Sequence, residues 1–262
     1  MNSLALRLVL APALIAIASL AWRRWGPTIS GWMVALPLTS GPLSFLLALG
    51  YGAAFAATAA HSTIAGTISL LAYCLAYAWT ATRAPWYLSV AAGSLAFAAV
   101  TLAMEQITLP LPLLVACVVG ALVATTLLLP KTPREVAPSV MRATPYWDLP
   151  ARMVVAAAFV ALLTGAAAVL GPQLTGLIAP FPIYVSILAV FAHRQGGWQA
   201  AVGVQRGLLY GLLGFVGFFL VVALLIERLG IGATFAFAIL VSLLSQAISL
   251  WLLRRRARAQ IA

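Results

Sequence analysis

Apolar runs long enough to cross hydrocarbon follow one another along almost the whole chain, from Leu4 to Leu253. Crossing a bilayer takes roughly 20 residues of helix. Nine such runs are legible: 4–22, 28–50, 55–80, 87–106, 111–129, 152–170, 174–192, 206–226 and 231–253. Lipid offers no partner to backbone N–H and C=O groups, so a spanning segment must satisfy its own. The Ala- and Leu-rich texture, without period-two alternation, makes these runs helices rather than barrel strands. With 64% hydrophobic and only 7% charged residues, nothing is left over for a soluble enzyme domain, where charged residues would be about 25%. The longest polar stretch, 131–149, is broken by Pro133, Pro138 and Pro145 and reads as a loop.

The net charge of +11 does not point to nucleic acid. Lys and Arg sit at the ends of the apolar runs, where they fix orientation and meet anionic lipid heads. No basic stretch is interleaved with aromatics, as a nucleic-acid groove requires. With the N-terminus outside, thirteen of the fifteen basic residues fall on the inner side and only Arg7 and Arg228 outside. The positive-inside rule therefore predicts N-out, C-in, and it does so only for an odd span count. The first run is flanked by Arg23-Arg24 and lacks a small-residue cleavage site, so it reads as a retained helix. Cys74 and Cys117 fall inside spans without metal-ligand spacing and read as small packing residues.

A repeat runs through the chain at an offset of 145 residues. Gly26-Pro27-Thr28-Ile29-Ser30-Gly31 recurs as Gly171-Pro172-Gln173-Leu174-Thr175-Gly176, and the same shift pairs Pro37 with Pro182, Gly52 with Gly197 and Gly66 with Gly211. Self-similarity at one period signals duplicated structure. The shift lays spans one to four on spans six to nine and leaves span five unpaired. Two four-helix units result, over 1–106 and 152–262, joined by a linker helix over 107–130 and a cytoplasmic loop over 131–151. An unpaired helix between them forces the units into opposite orientations. Inverted repeats of this kind build many secondary transporters.

The openings of spans two and seven are the predicted site. Each starts at Gly-Pro and is then interrupted by proline: Pro37 and Pro42 in one unit, Pro180 and Pro182 in the other. Proline removes a helix hydrogen bond and frees a carbonyl, which at membrane depth needs protein, water or ligand beside it. Paired, interrupted helices at corresponding positions are the best sequence pointer to a transporter's binding site. Ser30, Gly31, Pro37, Thr39, Ser40, Thr175, Gly176, Pro182, Tyr184 and Ser186 are thus the expected substrate-binding residues, with Pro37 and Pro182 facing each other. The alternative for the same residues is close packing through small side chains and back-bonded hydroxyls. Ionisable groups in the membrane are functional suspects, and three are candidates for ion or proton coupling: His61, its repeat partner Arg206, and Glu105 at the outer end of span four. His193-Arg194-Gln195 reads as an interfacial anchor, and Gln246, inside span nine, needs a partner on another helix.

Four acids and two histidines form no cluster for a metal and no carboxylate pair for acid–base work. No Gly-x-Ser-x-Gly or phosphate-binding glycine loop is present, so no catalytic residue, metal or cofactor is expected.

The Gly26–Pro37 stretch, with Leu36-Pro37 and Phe181-Pro182 at matching positions, resembles the GlpM-like family of small bacterial inner-membrane proteins. The resemblance covers each four-helix unit and implies a bacterial inner-membrane protein in which two such units are fused. The resemblance bears on architecture only; two functions are weighed from the repeat and its interrupted helices. One is a transporter or flippase of a small or amphipathic solute, anionic ones included, with membrane lipids and a small-molecule or lipid-linked substrate as partners. The other is a membrane scaffold that binds helices or lipids. A polar cavity at mid-membrane favours the first, a solidly packed interior the second.

Overall fold

The computed structural model describes residues 27–37, 40–132 and 169–259, with 154, 158, 162, 165 and 166, and gives the backbone alone at 27, 28, 30 and 252–259. It is 89% helix, with no strand among the described residues. The first helices are α1 (Pro27–Val34), α2 (Ser40–Tyr51), α3 (Ala53–Ala81), α4 (Trp86–Glu105) and α5 (Leu111–Leu128). After the short α6 (Val169–Ile178), the helical stretch Ile183–Ala259 is broken at Gly197 and Gly230 into α7 (183–196), α8 (198–229) and α9 (231–259). Four helical stretches are long and apolar enough to cross a membrane: Ala53–Ala81, Trp86–Glu105, Leu111–Leu128 and Ile183–Trp251.

Several boundaries differ from those read in the sequence. The run 28–50 is two helices, because Pro37 breaks it; the run 174–192 is likewise split around Phe181-Pro182. The eighth run begins eight residues earlier than drawn, at 198, since Gly197 rather than the charge of Arg206 ends the preceding helix. The first run, 4–22, most of the sixth, 152–170, and most of the loop 131–151 lie outside the described residues.

Three corners between helices are single glycines: Gly52 (φ 89°), Gly197 (φ 71°) and Gly230 (φ 75°) take backbone angles that a side chain disfavours, as does Gly171 (φ 71°) near the start of α6. At Gly52 and Gly197 ψ is also near 180°, a region essentially reserved for glycine. One residue therefore turns the chain from α2 into α3, and from α7 into α8, without a loop to solvate. The breaks at Gly197 and Gly230 fall 145 residues after Gly52 and Pro85, so α3 and α8, and α4 and α9, begin in the same register.

Helix α3 packs against α4, α5 and the α7–α9 stretch, and α1 lies against that same stretch. Tyr73, Tyr77, Leu209, Leu212, Phe219 and Ile226 are fully buried between them. The outer faces stay apolar: Leu95 on α4, Leu127 on α5, and Leu240, Leu244 and Ile248 on α9 are more than half exposed. In water such a surface would be an aggregation patch; against lipid tails it is the expected finish.

Candidate site at the two broken helices

Helix α1 ends at Val34 and α2 starts at Ser40; helix α6 ends at Ile178 and α7 starts at Ile183. The chain at both breaks closes in the same way. Leu36 N–H donates to Met33 O at 3.2 Å and Phe181 N–H to Ile178 O at 2.9 Å. Gly41 N–H donates to Pro37 O at 2.9 Å, and Ser186 N–H to Pro182 O at 2.7 Å. Each pair of bonds is one bond seen twice at the offset of 145.

What joins the two halves is close helix crossing at glycine. A methyl group built on Gly66 would come within 2.5 Å of the Leu177 carbonyl oxygen and 3.0 Å of Pro180 Cγ. On Gly211 it would meet the repeat mates of those groups, the Trp32 carbonyl oxygen at 2.9 Å and Ala35 Cβ at 2.5 Å. Gly31 abuts the Val204 carbonyl, while Gly176 abuts that of Ala59, the mate of Val204. Contacts that exchange their two members in this way are isologous, as across a two-fold interface. Gly31 and Gly176 are thus crossing points of two backbones and hold no space for a ligand, contrary to the expectation from sequence. Thr175 beside them is fully buried.

The two breaks meet at a small cavity of about 50 Å³. Its walls come largely in mates: Ala35 with Pro180, Leu36 with Phe181, Leu70 with Phe215, and Ser40 with Val185. Pro182 and Tyr184 complete the α7 side, Leu208 and Leu212 the α8 side. Pro37 is buried one residue beyond Leu36 and, unlike Pro182, does not line the cavity. The volume holds a few waters, where one water needs roughly 10–15 Å³; pockets for larger metabolites run to about 300 Å³ and above. Thr39 and the Ser30 side chain lie outside the described residues.

Ser186 stands one turn into α7. Its hydroxyl donates to the Pro182 carbonyl at 2.5 Å, and the Tyr73 hydroxyl lies 2.6 Å from Ser186 Oγ. The Pro182 carbonyl thus accepts from both the backbone N–H and the side chain of Ser186. Phe181 packs edge-on against Phe97 (5.1 Å between ring centroids) and against Tyr73 (6.3 Å). Tyr73 and Phe97 are not singled out by the sequence, and Phe181 only as the neighbour of Pro182; aromatic residues in apolar runs give no signal that separates a wall from a core.

The three coupling candidates do not reach the cavity walls. His61 Nε2 is 3.1 Å from the Leu109 carbonyl, at the start of α5. Arg206 donates to Thr132 Oγ1 at 2.8 Å and to the Pro130 carbonyl at 3.0 Å, at the end of α5. Glu105 is the last residue of α4, and its backbone carbonyl accepts from Gln173 Nε2 at 2.9 Å. Both carbonyls lie just outside α5, and the histidine and the arginine give them side-chain partners. Gln246 donates to the Gly211 carbonyl at 3.0 Å, tying α9 to α8 at a crossing point. Among the described residues no group of His, Cys, Asp and Glu could hold a metal.

No family model matches this chain, and no curated protein or solved structure matches it.

Proposed function

We propose that the chain is a secondary transporter or flippase that moves a small or amphipathic solute by alternating access, with the cavity between the two broken helices as its binding site. One observation carries this reading. Two interrupted helices from corresponding parts of the chain converge on one cavity whose walls are largely repeat mates. Broken helices at the interface of two repeats are where transporters hold their cargo. Among the described residues the walls are apolar apart from Ser40 and Tyr184 and include no cation. Since His61 and Arg206 are engaged at α5, an amphipathic or neutral solute suits the site better than a small anion.

The architecture proposed with it has nine spans, N-out and C-in, in a bacterial inner membrane, as two fused units of the GlpM-like kind related by a pseudo-two-fold axis in the membrane plane. The reciprocal glycine contacts support the two-fold. His61 and Arg206 support its direction: they are mates, yet they sit at opposite ends of one spanning helix. An axis along the membrane normal would leave mates at the same depth.

The scaffold reading has one observation in its favour, the small volume of the cavity amid close glycine crossings. Labelling separates the two. In a variant with Cys74 and Cys117 replaced and Ser40→Cys introduced, a membrane-impermeant maleimide should react from either side of oriented vesicles if the site alternates. Failure to label from both sides rejects transport and leaves the scaffold.

A further inference from the structure

The repeat offers an internal comparison. What the fold needs at one position it needs at the mate, so mates of different chemistry mark what is particular to one half. Four positions differ in the same sense: Tyr73 has Phe218 for its mate, Tyr77 has Val222, Ser186 has Gly41 and His193 has Ala48.

The four polar residues form one line. It begins just behind the cavity wall, where Ser186 is bonded to the carbonyl of the wall residue Pro182 and lies 2.6 Å from the Tyr73 hydroxyl. The Tyr73 ring is 5.9 Å from that of Tyr77, which is 6.5 Å from His193. Exposed Arg194 follows at once, near the end of α7. The mate line is apolar. The Phe218 ring occupies the space beside Gly41, 3.3 Å from where a Cβ would stand, and packs on Phe219 and Phe235.

Two atoms in the polar line have no hydrogen-bond partner among the described residues: the hydroxyl of Tyr77, a residue fully buried, and Nδ1 of His193. Buried groups of this kind are almost always hydrogen-bonded, so the arrangement calls for a small hydrogen-bonding species between them. Water is the smallest, and hydroxyls and an imidazole joined by water relay protons.

We propose that Ser186, Tyr73, Tyr77 and His193 form a proton path from the cavity to the Arg194 end of α7, which couples solute movement to protons. The proposal rests on the transport reading above and names its coupling ion. His193 takes a proton from the Arg194 side and gives it up toward Tyr77. Along the line each hydroxyl accepts one proton as it releases another, so no net charge stays behind. Tyr77 faces His193 from α3, and Arg194 is its charged neighbour on α7. The described carboxylates, Glu105 and Glu227, lie at the far ends of α4 and α8. The other histidine, His61, is the control, being engaged at α5.

The test is a pH jump on proteoliposomes of the full chain adsorbed to a solid-supported membrane. A transient charge displacement should appear with the native chain, persist in His61→Gln, and fall at least tenfold in both His193→Gln and Tyr77→Phe. No displacement above protein-free liposomes, or an undiminished one in both variants, overturns the proposal. Should His193→Gln not fold, Tyr77→Phe alone decides, since it removes only an oxygen. Two-sided labelling of Ser40→Cys with no charge displacement would sink the proton path and leave transport standing. Absence of labelling would sink transport itself.

Discussion

His61 and Arg206 hold opposite ends of the same helix: His61 Nε2 is 3.1 Å from the Leu109 carbonyl, and Arg206 donates to the Pro130 carbonyl at 3.0 Å. They stand at equivalent places in the two halves, so the unpaired α5 is fastened once by each. The first prediction follows. Arg206→Ala should lower stability by about 1.5–3 kcal/mol, the range for hydrogen bonds to a charged group, and His61→Ala by about 0.5–1.5 kcal/mol. Denaturant titration in detergent measures both, and the double variant should add the two losses. A loss for Arg206→Ala within error of zero would show that the bonds to Thr132 and Pro130 are ornamental.

Four glycines are crossing points of the two halves. Gly31, Gly66, Gly176 and Gly211 each meet a backbone carbonyl where a Cβ would be, so the neighbour has no flexible end to move aside. Substitution by Ala should destabilise each by at least about 2 kcal/mol, with mates costing similar amounts. Gly120, on α5 with open space around it, is the control: Ala there should be neutral or gain up to about 1 kcal/mol. Equal effects at Gly31 and Gly120 would refute the crossing geometry.

The corners are a separate case. Gly52 has open space beside it, so Gly52→Ala meets only the conformational penalty of its positive φ, about 1–3 kcal/mol. Gly50→Ala, two residues away with ordinary φ and equally open, should show none of it. Comparing their thermal midpoints isolates the backbone term from packing.

Topology can be checked without a ligand. A reporter fluorescent only in the cytoplasm should light up when fused after Ala262 and stay dark when fused within residues 106–110. Reversal of both signals would overturn the orientation read from the basic residues.

The sequence by itself located the long apolar helices and a Gly/Pro pattern that recurs at one offset. Hydrocarbon leaves a backbone no choice but helix, so the apolar runs located α3, α4 and α5 to within two residues. The Gly-Pro pattern at one offset marked α1 and α6 as equivalents. Tertiary structure decided which polar residues meet the cavity. His61, Arg206 and Ser40 all look alike on a line of apolar residues, because a spanning helix is apolar on every side and has no polar face to show inward. Only packing separated them. With the close crossings at Gly31 and Gly176 in place, His61 and Arg206 reach carbonyls just outside the two ends of α5. The same crossings brought Tyr73 beside Ser186, 113 positions away. Which residues become neighbours across two helices depends on their rotation and crossing, and a linear pattern of hydropathy carries neither.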